Sequence, residues 1–156
     1  MGTGKTVVGK LLATRLHKQF IDIDVFIEKK TGKSISKIFE EGGETRFRET
    51  ESAAIKEIAG KNGAVISCGG GSVVNPINVL RLKEKGVIVL LTASLETIRR
   101  RIAGTCTRPL FDSGDISSLL KARETVYTSA ADLIVDTSEL TVHEVVTAIV
   151  GEVGCT

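Results

Sequence analysis

The first six residues combine glycines, a lysine and a threonine in an order that suits phosphate binding. Gly2, Thr3, Gly4, Lys5 and Thr6 match the end of the pattern G-x-x-x-x-G-K-[ST]. Glycines let backbone N–H groups turn towards a phosphate chain, and a helix starting near Lys5 directs its positive end at the same anion. In such loops the lysine neutralises the β- and γ-phosphates and the threonine hydroxyl binds Mg²⁺. The chain therefore opens on a predicted nucleotide site that uses Mg²⁺.

The match to this pattern lacks its first part. The first fixed glycine would lie two residues before Met1, and the strand that leads into such a loop is missing as well. We expect that an internal methionine has been taken as the initiator, with a genuine truncation as the alternative. Mass spectrometry of the native protein separates the two, because an N-terminus at Met1 contradicts the first.

Two acidic residues end the next apolar run. Residues 20–24 read as a short strand, on which Asp22 and Asp24 project to the same face. Ligands of α/β proteins bind at the carboxyl ends of strands, so the pair suits a site there. One carboxylate can hold the water shell of Mg²⁺, and the other can accept the proton of an attacking hydroxyl.

Strands and helices alternate along the rest of the chain. Strands are predicted at 64–68, 87–91 and 133–136, and helices at 5–17, after Ser34, at 44–59, after Pro76, after Ser94 and after Thr141. Thr141 and Glu144 form a capping box ahead of an apolar face made by Val145, Val146, Ile149 and Val150. The alternation predicts an α/β fold, with a parallel sheet covered by helices on both faces.

Composition excludes several classes of protein. The 156 residues make one domain, and 21 basic against 19 acidic residues leave a net charge of +2, which argues against nucleic-acid and membrane partners. The three cysteines, Cys68, Cys106 and Cys155, form no C-x-x-C pair, so no disulfide framework or zinc cage is indicated. Their spacing favours a reducing compartment, and we expect a cytoplasmic protein.

Further motifs follow the opening one in a fixed order. They are Asp22-Ile23-Asp24, Gly43-Glu44-x-x-Phe47-Arg48-x-x-Glu51, Gly69-Gly70-Gly71, Thr107-Arg108-Pro109-Leu110, Arg123-x-x-x-Tyr127 and Ala131-Asp132. From residue 1 to about Thr137, the chain resembles the shikimate kinase family, small P-loop kinases of the nucleoside-monophosphate-kinase type. The resemblance implies transfer of the γ-phosphate of ATP to the 3-hydroxyl of shikimate, in aromatic amino-acid biosynthesis.

The same resemblance implies an architecture. It is a single three-layer P-loop kinase domain over residues 1–156, with a substrate-binding helical segment at about 25–60 and a lid at about 104–115. The family's sheet has five parallel strands, of which this chain encodes four, and the absent strand is the central one. We expect a monomer whose partners are the small molecules ATP and shikimate.

The resemblance assigns the acceptor side of the site residue by residue. Asp22 lies on the Mg²⁺ side, and Asp24 is the substrate-side residue and candidate base. Arg48 and Arg123 clamp the shikimate carboxylate, which a planar guanidinium binds through two parallel hydrogen bonds. Glu51, three residues after Arg48, orients it or reaches a substrate hydroxyl. In the run Gly69, Gly70 and Gly71, the second glycine gives a backbone N–H to the substrate.

The nucleotide side is assigned in the same way. Arg108, in the lid loop, is the candidate cation for the transferring phosphoryl group and acts with Lys5. Arg101 stacks on the adenine ring, while its neighbours Arg99 and Arg100 form a solvated face.

Two other functions remain open at this point. One is a different small-molecule P-loop kinase, of which a gluconate-type kinase is the nearest. The other is a non-catalytic, truncated nucleotide-binding remnant, since a parallel sheet without its central strand leaves backbone groups unpaired.

Overall fold

The computed structural model describes residues 2–102 and 116–153, with the backbone alone at 102 and 116–121. These residues group into two compact units. The terminal unit comprises Met1–Val8 and Ile88–Thr156, and the middle unit comprises Gly9–Val87. Each unit contains some of the residues with predicted functional roles.

Helices and strands alternate through the described residues. In chain order they are α1 Lys5–Arg15, β1 Gln19–Asp22, α2 Ile23–Thr31, α3 Ile35–Ala59, β2 Ala64–Ser67, a 3-10 turn Ser72–Val74, α4 Pro76–Lys83, β3 Val89–Thr92, α5 Leu95–Ile102, α6 Ile116–Ala130, β4 Leu133–Asp136 and α7 Val142–Val153. The predicted α/β class is confirmed. Within the described part of the chain, no helix is both long and apolar enough to span a membrane.

The four strands pair in parallel, two in each unit. In the middle unit β1 pairs with β2, from Gln19 opposite Ala64 to Asp22 opposite Ser67. In the terminal unit β3 pairs with β4, from Val89 opposite Leu133 to Thr92 opposite Asp136. The sequence predicted a single sheet. The structure instead has two two-stranded sheets, since no described strand bonds to members of both pairs.

Isoleucines make the core of the middle unit. Its buried cluster packs α2 and α3 against β1 and consists of Ile21, Ile23, Ile27, Ile38, Phe47, Ala54, Ile55 and Ile58. Helix α1 approaches β1 at Gly9, where a Cβ atom would lie 2.7 Å from the ring of Phe20. The absence of a side chain at Gly9 is what allows this close approach.

A glycine divides α3 into two helical segments. Gly43 has φ 64° and ψ −166°, a conformation that other residues avoid, so the helix is broken there. The sequence predicted a short helix after Ser34 and a longer one over 44–59, and the kink at Gly43 confirms that division. Ser34 caps the first segment through a bond from the Lys37 N–H.

The expectation that Asp22 and Asp24 share a strand face is wrong. Strand β1 ends at Asp22, whose side chain caps α2 by accepting bonds from the N–H groups of Asp24 and Val25. Asp24 therefore lies in the first turn of a helix. Asp22 is a strong N-cap residue followed by apolar residues at helical spacing, and this local bonding ends the strand earlier than its apolar alternation suggests.

The terminal unit is built around β3, β4 and the helices that follow them. Its buried residues include Ile98, Val135, Val145, Val146 and Ile149, and the last three belong to the predicted inner face of α7. The fourth residue of that predicted face, Val150, is half-buried. The predicted capping box is confirmed. The Glu144 carboxylate accepts bonds from the Thr141 N–H at 2.8 Å and hydroxyl at 2.7 Å, and the Glu144 N–H is 3.3 Å from the Thr141 hydroxyl.

Thr141→Ala is expected to lower the free energy of unfolding by about 1 kcal/mol, because it removes the N-cap of α7. Thr147→Ala is the control, since Thr147 is exposed on the same helix and its hydroxyl donates to the His143 carbonyl.

The Thr141 hydroxyl and N–H also lower the pKa of Glu144. The ionised Glu144 carboxylate therefore stabilises the fold above the pKa of an unfolded glutamate, about 4.3. This stabilisation is lost as pH falls through the lower pKa that Glu144 has in the folded state. Thermal unfolding of both variants at neutral and acidic pH measures these effects.

Candidate active site

The two glycines of the opening motif have backbone conformations that other residues rarely adopt. Gly2 and Gly4 have φ values of 75° and 87°, both in the left-handed region. Thr3 between them is buried, and α1 begins at Lys5 with Thr6 as its second residue. The turn formed by these residues thus leads directly into a helix N-terminus at the position where the sequence predicts phosphates, and a helix N-terminus favours anions.

Arg101 is held against this loop by hydrogen bonds. Its guanidinium donates to the Thr137 carbonyl at 2.7 Å, the Thr137 hydroxyl at 2.9 Å and the Gly2 carbonyl at 3.5 Å. Arg99 and Arg100 are exposed, as predicted. Thr137 was not predicted from the sequence. It is 2% exposed, and its hydroxyl lies 2.9 Å from the Thr92 carbonyl and 3.4 Å from that of Thr3, so it ties the end of β3 to the loop.

The remaining predicted residues of the terminal unit are less fully defined. Arg123 lies on α6 and is half-buried. Arg108, Cys106 and the predicted lid at 104–115 lie outside the described residues. Their predicted roles therefore stay predictions.

In the middle unit, three elements converge on the glycine turn that follows β2. The turn is closed by the Ser72 N–H, which donates to the Gly69 carbonyl at 3.1 Å. A Cβ atom on Gly69 would lie 3.4 Å from Glu51 Oε1 and 3.8 Å from Asp24 Oδ1. Two carboxylates, from α2 and α3, thus reach the same glycine.

Arg48 completes this cluster from α3. Its Nη1 donates to Glu51 Oε2 at 2.8 Å, which confirms the predicted contact between the two residues. Its other edge bonds to Glu44 Oε1, from Nε at 3.2 Å and from Nη2 at 3.0 Å. The guanidinium lies directly over Gly71, where an added Cβ atom would overlap it. Gly71 has φ −92°, so its lack of a side chain serves the contact and not the backbone.

Burial and charge define the electrostatics of this cluster. The Glu51 side chain is 1% exposed and that of Arg48 is 33% exposed, whereas that of Glu44 is 66% exposed. Burial lowers the pKa of the Arg48 guanidinium, but its bonds to Glu51 and Glu44 outweigh that effect and raise the pKa above its usual value. Arg48 is thus a permanent cation that is held in place by its bond to the buried Glu51 carboxylate.

Behind the cluster runs a buried polar network that the sequence did not reveal. Ser72 Oγ donates to Glu51 Oε1 at 2.6 Å, and Asn78 Nδ2 donates to the Ser72 carbonyl at 3.0 Å. Ser52 Oγ donates to Asn78 Oδ1 at 2.8 Å, and Arg81 Nη1 bonds to the Ser52 carbonyl and hydroxyl. These bonds join segments that lie far apart in the chain, so no local sequence pattern signals them.

A groove of about 790 Å³ lies beside this cluster, along α3 and α4. It is lined by Glu44 and Arg48 at the cluster and by Ser52, Lys56 and Arg81 further along. Asp24, Glu51 and the glycine turn do not line it. We therefore define the candidate site by the contacts of Asp24 and Glu51 with Gly69 and of Arg48 with Gly71, and not by the groove.

The donors available for a metal are hard oxygen atoms. Asp22 uses Oδ1 for both capping bonds, and Thr6 presents an exposed hydroxyl at the start of α1. Among residues 2–102 and 116–153, no group of three or more His, Cys, Asp or Glu side chains could hold a metal ion. Single oxygen donors of this kind suit Mg²⁺, which keeps several of its waters and binds through few protein ligands.

Comparisons with known proteins agree on one family. A family model described as shikimate kinase matches residues 1–153. The chain is 48% identical over 154 residues to a shikimate kinase of Pelotomaculum thermopropionicum, covering 96% of this chain and 89% of that protein. It is 48% identical over 153 residues to a shikimate kinase of Geobacter sulfurreducens, with coverages of 96% and 84%. A solved structure of shikimate kinase from Acinetobacter baumannii in complex with shikimate has a TM-score of 0.91 at 32% identity, covering 99% of this chain and 89% of that one.

Proposed function

The chain belongs to the shikimate kinase family, and from this premise we propose how its residues divide the work of the reaction. It is a kinase that phosphorylates shikimate with ATP. We assign the 3-hydroxyl as the attacking group. No nucleophile and base pair for a covalent intermediate is apparent in the motifs, so we infer direct transfer of the γ-phosphoryl group to this hydroxyl.

The terminal unit holds the nucleotide. The N–H groups of the loop from Gly2 to Gly4 and the start of α1 bind the phosphates, and the Lys5 ammonium neutralises charge on the β- and γ-phosphates. Arg101 stacks on the adenine ring, and its bonds to Thr137 and Gly2 place it next to the phosphate loop. Arg108 acts as the second cation on the transferring group.

Thr6 and Asp22 are the residues that would hold Mg²⁺, and their oxygen donors fit this ion. Thr6 would bind it through its hydroxyl, and Asp22 would bind its water shell through the carboxylate. When bound, Mg²⁺ neutralises charge on the β- and γ-phosphate oxygens. Asp22 also holds α2 in place by capping it, so the same side chain fixes the first turn that carries Asp24.

Most of the residues that we assign to the acceptor belong to the middle unit. The shikimate carboxylate binds Arg48 on the edge that now faces Glu44, since Glu44 is exposed and gives up its bonds at little cost, whereas buried Glu51 stays in place. Arg123 provides a second cation for this carboxylate. Gly70 donates its N–H to the substrate, and Glu51 reaches a substrate hydroxyl. Asp24 accepts the proton of the attacking hydroxyl.

One observation carries the acceptor assignment. A permanently charged guanidinium lies on the glycine turn, beside two carboxylates that also reach this turn. This combination suits a small ligand with one carboxylate and several hydroxyls, since the cation binds the former and the carboxylates accept from the latter.

An acceptor panel tests this assignment. With ATP and Mg²⁺, shikimate is expected to be phosphorylated, whereas its methyl ester, which lacks the charge, and gluconate, which lacks the ring, are expected to be poor acceptors. Equal turnover of shikimate and its methyl ester would contradict carboxylate recognition by Arg48. Turnover of gluconate in preference to shikimate would identify a different kinase.

We also propose that residues 1–156 act as one kinase domain, monomeric and cytoplasmic. The family match over residues 1–153 supports the single domain. Size-exclusion chromatography with light scattering is expected to give the mass of a single chain, and a dimer mass would contradict it.

A further inference from the structure

A chain of hydrogen bonds joins α4 to the predicted substrate cation. The Asn78 amide donates to the Ser72 carbonyl, the Ser72 hydroxyl donates to Glu51, and Glu51 also accepts a bond from Arg48. Ser72, Asn78 and Glu51 are 0%, 1% and 1% exposed, so water does not compete for these bonds. Within the described residues, no buried side-chain nitrogen or oxygen atom in the structure lacks a partner.

The position of Asn78 requires an amide. Its Nδ2 donates to the Ser72 carbonyl and its Oδ1 accepts from the Ser52 hydroxyl, so both ends of the side chain are used. A carboxylate would place an acceptor against the Ser72 carbonyl, and an apolar side chain would remove the bond to that carbonyl. Asn78 therefore fixes Ser72, which both closes the glycine turn and bonds to Glu51.

We propose that Asn78 is a positioning residue for shikimate binding, acting through Ser72 and Glu51 on the Arg48 guanidinium. The inference rests on the proposed function, because it takes Arg48 as the group that binds the substrate carboxylate. Asn78 touches neither substrate. Its effect is to hold the glycine turn and Glu51 in the positions that set the direction of Arg48.

Asn78→Ala in the full chain is expected to raise KM for shikimate about tenfold, the equivalent of one hydrogen bond. KM for ATP is expected to stay unchanged, since the network reaches only the acceptor residues. Asn75→Ala is the matched control, because Asn75 caps the same helix through the Ile77 N–H and takes no part in the network. It is expected to lower thermal stability and leave KM for shikimate unchanged.

The inference would be overturned if Asn78→Ala left KM for shikimate unchanged, or changed KM for shikimate and KM for ATP in equal proportion. It would also be overturned if Asn75→Ala raised KM for shikimate as much as Asn78→Ala does. If Asn78→Ala does not fold, Ser72→Ala removes only the hydroxyl that bonds to Glu51. It too is expected to raise KM for shikimate, and an unchanged value would overturn the inference.

A double-mutant cycle separates action through Arg48 from an independent effect. In an Arg48→Lys background, where the two-pronged donor is already lost, adding Asn78→Ala is expected to leave KM for shikimate unchanged. A further tenfold increase would show that Asn78 acts elsewhere and would overturn the inference. A wild-type protein without shikimate-dependent turnover would instead overturn the proposed function and the inference with it.

Discussion

Asp24→Asn is expected to lower kcat for shikimate phosphorylation by about 10²- to 10⁴-fold, the usual contribution of a general base. Asparagine has the same shape but cannot take the proton of the attacking hydroxyl. Asp24 lies in the first turn of α2, and its carboxylate reaches the glycine turn beside Glu51. KM for ATP is expected to stay unchanged, because Asp24 belongs to the acceptor residues.

Glu49→Gln is the control for this substitution. Glu49 is exposed on α3, where it pairs with Arg46, so the same loss of a carboxylate there is expected to leave kcat unchanged. Steady-state rates at saturating ATP and shikimate measure both variants. A kcat for Asp24→Asn that equals the wild-type value would remove Asp24 from the proton transfer.

Gly71→Ala is expected to raise KM for shikimate about 10- to 100-fold, the range for losing a hydrogen bond to a charged group. The added methyl group would occupy the space of the Arg48 guanidinium, which is the flexible end of its side chain and moves away. The φ of Gly71 is −92°, outside the left-handed region, so alanine adds no left-handed strain and the fold is expected to remain intact.

Gly60→Ala provides a matched control for the glycine substitution. Gly60 ends α3 with φ −75°, and no atom lies within 4 Å of an added Cβ. We expect unchanged KM for shikimate and a stability gain of about 0.4–1 kcal/mol, from the smaller entropy of the unfolded chain. Kinetics and thermal unfolding of both variants test this pair, and a Gly71→Ala enzyme with wild-type KM would show that the guanidinium position does not matter.

Local signals predicted much of the fold. The capping box at Thr141, the helix break at Gly43 and the strand of residues 133–136 depend on neighbouring residues, and all three are confirmed. Helix α2 was missed because Ile23 and Asp24 continue the alternation of β1, and the capping bonds of Asp22 outweigh that alternation. How the strands pair depends on hydrogen bonds between distant segments, which strand patterns alone do not define.

The candidate site was predictable where it follows helical spacing. Arg48 and Glu51 are three residues apart on α3, so their contact follows from the sequence. The bond from Ser72 to Glu51 spans 21 positions, and the bond from Ser52 to Asn78 spans 26. Such contacts arise only when α3, α4 and the glycine turn pack together, and no local pattern encodes them. The fit of Arg48 over Gly71 depends on the same packing.

The release of ADP by the full chain, with ATP and Mg²⁺ and with or without shikimate, tests the central claim most directly. We predict release that rises with shikimate and saturates, with shikimate 3-phosphate formed in equal amount. ADP release that is the same with and without shikimate would contradict the assignment of this chain as a shikimate kinase.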